Sequence, residues 1–171
     1  MKITGRNIKR RLYGVSKLRD RMSRARYFRG HNVHSPFVYS LVRQVFMRSK
    51  PMSDDRSFIE ALIARGVSEK RAVQLHNLCV HCGYSSRSID DAESDCSFMC
   101  VSANVEPARI AAFAEAARKR GATLAVIAPY KNREREAACR EIVAAHTCTT
   151  VDNRAYLLIF NNHLPKQHFR L

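Results

Sequence analysis

The sequence predicts an α/β fold: parallel strands alternating with helices, an antiparallel edge hairpin, and helices ahead of the sheet. Three observations predict it. The second half alternates short apolar runs with stretches of helical period. The first half is punctuated by helix start and stop residues. The charge is gathered in the first third. A length of 171 residues suits one domain with an appendage and excludes a large multidomain enzyme. With 46% hydrophobic and 26% charged residues, most of the chain can bury a core. No apolar run reaches the roughly 18 residues of a membrane span. The basic N-terminus lacks the compact apolar stretch and cleavage site of a secretory signal. The expectation is therefore a cytoplasmic protein with reduced cysteines.

Residues 1–50 hold 14 Lys/Arg and one acid, Asp20, for a charge of +13. Residues 51–171 hold 16 Lys/Arg and 14 acids, for +2. In the dense part, residues 2–29, Ile8, Leu12, Val15, Leu18, Met22 and Ala25 recur at helical spacing. The expectation is a basic amphipathic arm over residues 1–30. Such a helix can lie on nucleic acid phosphates or on an anionic membrane surface, nonspecifically and in a salt-dependent way. It can equally be a solvated helix packing its narrow stripe on the domain behind it.

From residue 31 a domain is expected, helical over 31–83 and sheet-forming over 96–171. Ser35-Pro36 starts a helix over 36–48, with Phe37, Leu41, Val42, Val45 and Phe46 inward. Lys50-Pro51 breaks it. A second helix covers 54–65, with Phe58, Ile59, Leu62 and Ile63 inward, and Gly66 closes it. A third opens at Ser68-Glu69 and runs to Cys82, with Gly83 as its stop. Residues 84–95 are polar and read as a loop. Ser97–Ser102 reads as a strand. Pro107 occupies a helix N1 position, and Gly121 ends that helix. Thr123–Ile127 is a buried strand, 131–145 a helix, and Thr147–Val151 and Ala155–Phe160 a hairpin joined by Asp152-Asn153-Arg154.

The two ends carry a resemblance. Gly30-His31-Asn32-Val33-His34-Ser35-Pro36-Phe37-Val38 resembles the N-terminal signature of bacterial class I S-adenosylmethionine-dependent methyltransferase-like proteins. Lys166-Gln167-His168-Phe169 resembles that group's closing strand. Leu124–Phe160 is similar to the group's strand five, the following helix and its strand six–seven hairpin. The resemblance implies a reduced Rossmann-like sheet and methyl transfer from S-adenosylmethionine. It makes His31, His34, Ser35, Pro36, Phe37 and the Lys166–Phe169 run signature residues.

The sequence also departs from the group. A Gly-rich turn after the first strand should cradle the cofactor, because backbone must approach the ligand there. None of the six glycines forms a Gly-x-Gly pair. Ile127-Ala128-Pro129-Tyr130-Lys131 lacks the acidic pair expected after strand five. A fourth strand with its Asp-Gly turn is not found, and the chain is roughly a quarter to a third shorter than such enzymes. Glu106, after the Ser97–Ser102 strand, matches the acid that accepts ribose hydroxyls at the end of strand two; it also suits the first turn of a helix. The expectation is a degenerate methyltransferase-like protein, a pseudoenzyme with weak or no catalysis and doubtful S-adenosylmethionine binding.

Cys79 and Cys82, then thirteen residues, then Cys96 and Cys100 form the sharpest chemical pattern. Four thiolates so spaced can close a structural zinc site, with His76 and His81 as substitutes. Against zinc, Cys79 and Cys82 fall on one apolar helix face, Cys96 and Cys100 lie on or beside a buried strand, and cysteine packs well in cores. A paired-carboxylate hydrolase is conceivable from Asp90-Asp91, but the pair sits in the polar loop.

Overall fold

The computed structural model describes residues 34–171. Helix α1 (Pro36–Leu41) starts at the expected cap, where the Ser35 hydroxyl accepts the Val38 N–H at 3.4 Å. It widens at once into a π turn over Val42–Phe46 instead of continuing as α-helix to residue 48. Helix α2 (Ser57–Ala64) leaves Ile63 exposed, since Phe58, Ile59 and Leu62 alone complete its buried face. Helix α3 (Glu69–Cys82) ends where Gly83 turns left-handed, at φ +70°, and the Tyr84 N–H returns to the Cys79 carbonyl at 2.9 Å.

Strands β1 (Arg87–Ile89) and β2 (Phe98–Val101) follow. Pro107 opens a 3₁₀ turn, Pro107–Arg109, and helix α4 begins only at Ile110 and runs to Arg120. Strand β3 (Thr123–Ile127), helix α5 (Arg133–Ala145), and strands β4 (Thr149–Asp152), β5 (Tyr156–Ile159) and β6 (Gln167–Arg170) complete the chain. The Asn132 side chain caps α5 by accepting the Arg135 N–H at 2.8 Å.

The six strands form one mixed sheet in the order β1-β2-β3-β5-β4-β6. Strands β1, β2 and β3 are parallel, β5 runs against both β3 and β4, and β6 lies parallel to β4. This corrects two expectations. The β4–β5 hairpin is interior, because the closing strand β6 takes the edge. The sheet also begins inside the segment read as a loop, at Arg87.

Alternate residues of each strand feed two cores. Phe98, Cys100, Ala125, Leu158 and Phe160 pack under α1, α2 and α3. Met99, Val101, Leu124, Leu157 and Ile159 pack with residues of α4 and α5. On the first side α3 also buries polar groups, each with a task. Gln74 Nε2 donates to the Phe46 carbonyl at 2.6 Å. Asn77 donates to the Lys50 carbonyl and accepts the Met52 N–H, at 3.0 and 2.8 Å. These bonds fasten the link between α1 and α2 to the core, which makes their burial affordable.

Candidate functional site

Strands β1, β2, β3, β4 and β6 all end at one edge of the sheet, the edge where α/β sheets of this kind bind ligands. Three non-glycine residues with left-handed backbone stand there: Asp90 after β1 (φ +61°), Ala128 after β3 (φ +48°) and Arg154 after β4 (φ +69°). Strain of this kind persists only where surrounding bonds enforce it.

Asp90 bridges the ends of β1 and β2. Its N–H donates to the Cys100 carbonyl at 2.9 Å, and its Oδ1 accepts the Ser102 N–H at 2.6 Å. Its Oδ2 lies 3.2 Å from Arg65 Nε, just past α2. Asp91 is used differently: its Oδ1 accepts the Glu93 N–H at 2.9 Å. The two carboxylates therefore do not form an acid–base pair.

Arg135, on α5, closes the next gap. It is 1% exposed. Nη2 donates to the Ser102 and Ile127 carbonyls at 2.8 and 3.0 Å, Nη1 to Val105 at 2.8 Å, and Nε again to Ile127 at 3.1 Å. Burial lowers the guanidinium pKa from its ordinary value, yet arginine stays charged in proteins. Main-chain oxygen thus solvates a buried cation and ties the loop after β2 to the end of β3. Lys131 Nζ adds a bond to the Ala103 carbonyl at 2.8 Å. Sequence reading missed Arg135. The available signal was its position in the Arg135, Cys139, Ile142 row, the inward stripe of α5.

The passage from β1 to β2 is unusual. Parallel neighbours ordinarily need a crossover of a dozen or more residues, usually with a helix. Here residues 90–97, eight in all, make it without one. Ala92 and Cys96 pack into the core beneath α4, and Arg120 holds the Ala92 and Glu93 carbonyls at 2.8 and 3.2 Å. In a doubly wound sheet of order 3-2-1-4-5, the ligand crevice opens where strand order reverses beside strand 1. Among the described residues β1 is the edge, with no strand beyond it. Strand β2 lies between β1 and β3, the place of a fourth strand. Glu106, which follows β2, is exposed, and its side chain caps no N–H.

The cysteine pattern does not converge. Cys79 and Cys100 are buried in the core under α3 with Cys82 beside them, whereas Cys96 lies in the opposite core, 3.1 Å from the Ser88 hydroxyl. The four-cysteine alternative does not hold on this geometry: the sheet separates the second thiol pair. Burial pushes the Cys79, Cys82 and Cys100 thiols up, away from the thiolate that binds metal. Among the described residues no three His, Cys, Asp or Glu side chains group as a metal set.

The structure places the described signature residues as follows. His34 is exposed, Ser35 caps α1 and Pro36 is its first residue. Phe37 packs edge-on against Phe160 with ring centroids 5.0 Å apart, and Phe169 joins the same core. Lys166 Nζ donates to the Ala144 carbonyl at 2.7 Å, Gln167 begins β6, and His168 Nδ1 lies 2.7 Å from the Thr150 hydroxyl. His31 and the basic arm, with its nucleic-acid or lipid contact, lie outside the described residues. Among the described residues no helix is long and apolar enough to cross a membrane. No family model, curated protein or solved structure matches the chain.

Proposed function

We propose that this chain is a reduced class I methyltransferase-like protein that keeps the non-cofactor half of the sheet and does not transfer methyl groups. One observation carries the reading: the eight-residue crossover from β1 to β2 stands where a doubly wound sheet has further strands and helices. The run β3, α5, β4, β5 has the order that the resemblance gives to strand five, its helix and the strand six–seven hairpin. Strand β2 then takes the fourth place, which the sequence had left empty, and no counterpart of the second and third strands occurs among the described residues.

The residues present do not fit S-adenosylmethionine. A cofactor needs backbone at close approach after β1, and that turn is Asp90-Asp91, with the Asp90 carboxylate already bound to Ser102 and Arg65. A ribose acid belongs beyond β1, and Glu106 follows β2 instead. Methyl transfer depends on holding the donor in line with its acceptor. Without a cradle that placement is lost.

Calorimetric titration of the full chain with S-adenosylmethionine and its demethylated product tests this. The expected outcome is no saturable heat and no thermal shift. One-to-one binding that weakens on Glu106→Ala or Asp90→Ala substitution would overturn it.

A further inference from the structure

The sheet is unequally covered on the α4–α5 side. Thr150 and Asp152 of β4 face this side, as their register partners Ile159 and Leu157 do, and His168 and Arg170 of β6 stand beside them. Between these strands, α5 and the Pro129-Tyr130 turn lies a cavity of about 390 Å³. Its size is that of a small-molecule site, and Leu157 and Val143 supply apolar wall.

The polar groups of this cavity are arranged by depth. Asp152, 3% exposed, forms the floor. Its Oδ2 accepts the Tyr130 hydroxyl, and its Oδ1 accepts the Arg154 N–H at 2.8 Å. The rim is basic. Arg140, with its side chain 75% exposed, lines the cavity from α5 and lies 3.1 Å from Glu136, which lines it too. His168 and Arg170 are exposed on β6. Two of the three left-handed residues flank the cavity: Ala128 leads into the Tyr130 turn, and Arg154 presents its N–H to Asp152. Backbone strain is therefore located where it orients the floor. The side chains are bonded within the protein, so a ligand exchanges with existing contacts.

We infer that this cavity is a binding site for a small zwitterion, one carrying an ammonium group and a carboxylate or phosphate. The ammonium donates to Asp152 at the floor, where low exposure strengthens a charge-assisted bond. The anion meets the Arg140, His168 and Arg170 rim, where guanidinium offers paired donors. A molecule with only one of these charges leaves the other end of the site unmatched. The site lies at the opposite end of the sheet from β1 and stands whether or not the methyltransferase reading holds.

Calorimetric titration of the full chain with L-phenylalanine, and separately with O-phosphoethanolamine, tests the inference. The controls are N-acetyl-L-phenylalanine, L-phenylalaninamide and ethanolamine, each lacking one charge. At least one zwitterion is expected to bind at least tenfold tighter than its own controls, and the arm that binds identifies the anion. Arg170→Gln, a change at an exposed position, and Tyr130→Phe are expected to weaken that binding at least threefold while leaving the far-ultraviolet dichroism unchanged. Binding by neither zwitterion, equal binding of the controls, or no effect of Arg170→Gln would each overturn it. Because S-adenosylmethionine is itself an amino acid, Arg170→Gln also separates binding here from binding at the β1 end.

Discussion

Two aspartates end strands at the same edge of this sheet, and they have opposite fates. Asp90, after β1, spans the gap to β2 and pairs with Arg65, so the edge there is sealed by the chain's own groups. Asp152, ending β4, is held by Tyr130 and the Arg154 N–H and floors an open cavity. Asp90 is itself left-handed, and Asp152 stands two residues before left-handed Arg154. Residue type and strain therefore do not distinguish a closed end from an open one. Among the described residues, what covers the neighbouring strands does: at β1 the crossover and Arg65 fill the space, while beside β4 and β6 lies the cavity.

The largest expected effect comes from the buried cation between the two ends. Arg135→Met leaves the Ser102, Val105 and Ile127 carbonyls without their donor, and should cost about 3 kcal/mol, since an unsatisfied buried group costs about 1–3. Urea denaturation measures it. A loss below about 1 kcal/mol would mean that the two ends are not joined through Arg135.

The seal at β1 comes next. Asp90→Ala removes the Ser102 acceptor and the ion pair at a position with positive φ, and should cost about 2 kcal/mol. Asp90→Asn keeps an acceptor and a residue that tolerates φ > 0, and loses only a half-exposed ion pair, so about 0–1 kcal/mol is expected. Equal losses would mean that charge, not the bridge to Ser102, seals this end. On the proposed function, neither variant should gain S-adenosylmethionine binding.

The smallest effect concerns pH, and it too belongs to the β1 end. His76, fully buried on α3 with Nε2 at 3.0 Å from the Ser53 hydroxyl, has a pKa lowered from 6.5. Burial is the main cause, the Arg87 charge on β1 adds to it, and Asp55 opposes it. The folded chain binds the proton less readily than the unfolded chain. His76 therefore adds stability above pH 6.5 that is lost as pH falls below 6.5 towards its folded-state pKa. Asp55, held at about 2 by hydrogen bonds from Ser57, keeps its charge throughout this range. Urea midpoints at pH 7.5 and 5.5 should differ, and His76→Gln should shrink the difference. A difference that survives the substitution assigns it to other groups.

Much of this fold was legible where local chemistry and burial agree. Ser68 and Gly83 bracket α3, and Thr123–Ile127 is β3 to the residue, because an unbroken apolar run buried on both faces leaves one reading. Strand β1 was not legible. Arg87-Ser88-Ile89 has one apolar residue in three, and it is paired only by lying along β2, a long-range fact. Strand β6 was read as a closing strand through the resemblance, but its pairing with β4, which moved the hairpin inward, was not legible. Pro107 was read correctly as an opener, yet it opens a 3₁₀ turn first. The site was less legible still. Asp90 reads as a loop acid until Ser102 is seen beside it, and Arg135 reads as a solvated helix residue until the carbonyls around it are known. The Cys-x2-Cys pattern could not be settled from sequence, because spacing along the chain says nothing about which side of a sheet a thiol reaches.

The eight-residue crossover also bears on how the chain assembles. Closing a loop costs entropy that grows only as the logarithm of its length, about 0.6 kcal/mol per doubling. Arg87 meets Phe98 across a short stretch of chain, whereas β3 finds β5 only after a whole helix has been laid down. The parallel pairing of β1 with β2 is therefore made from neighbours in sequence, a local event in a class of sheet whose pairings are ordinarily distant and slow. The short crossover makes this edge one of the parts of the sheet whose partner lies nearest in sequence.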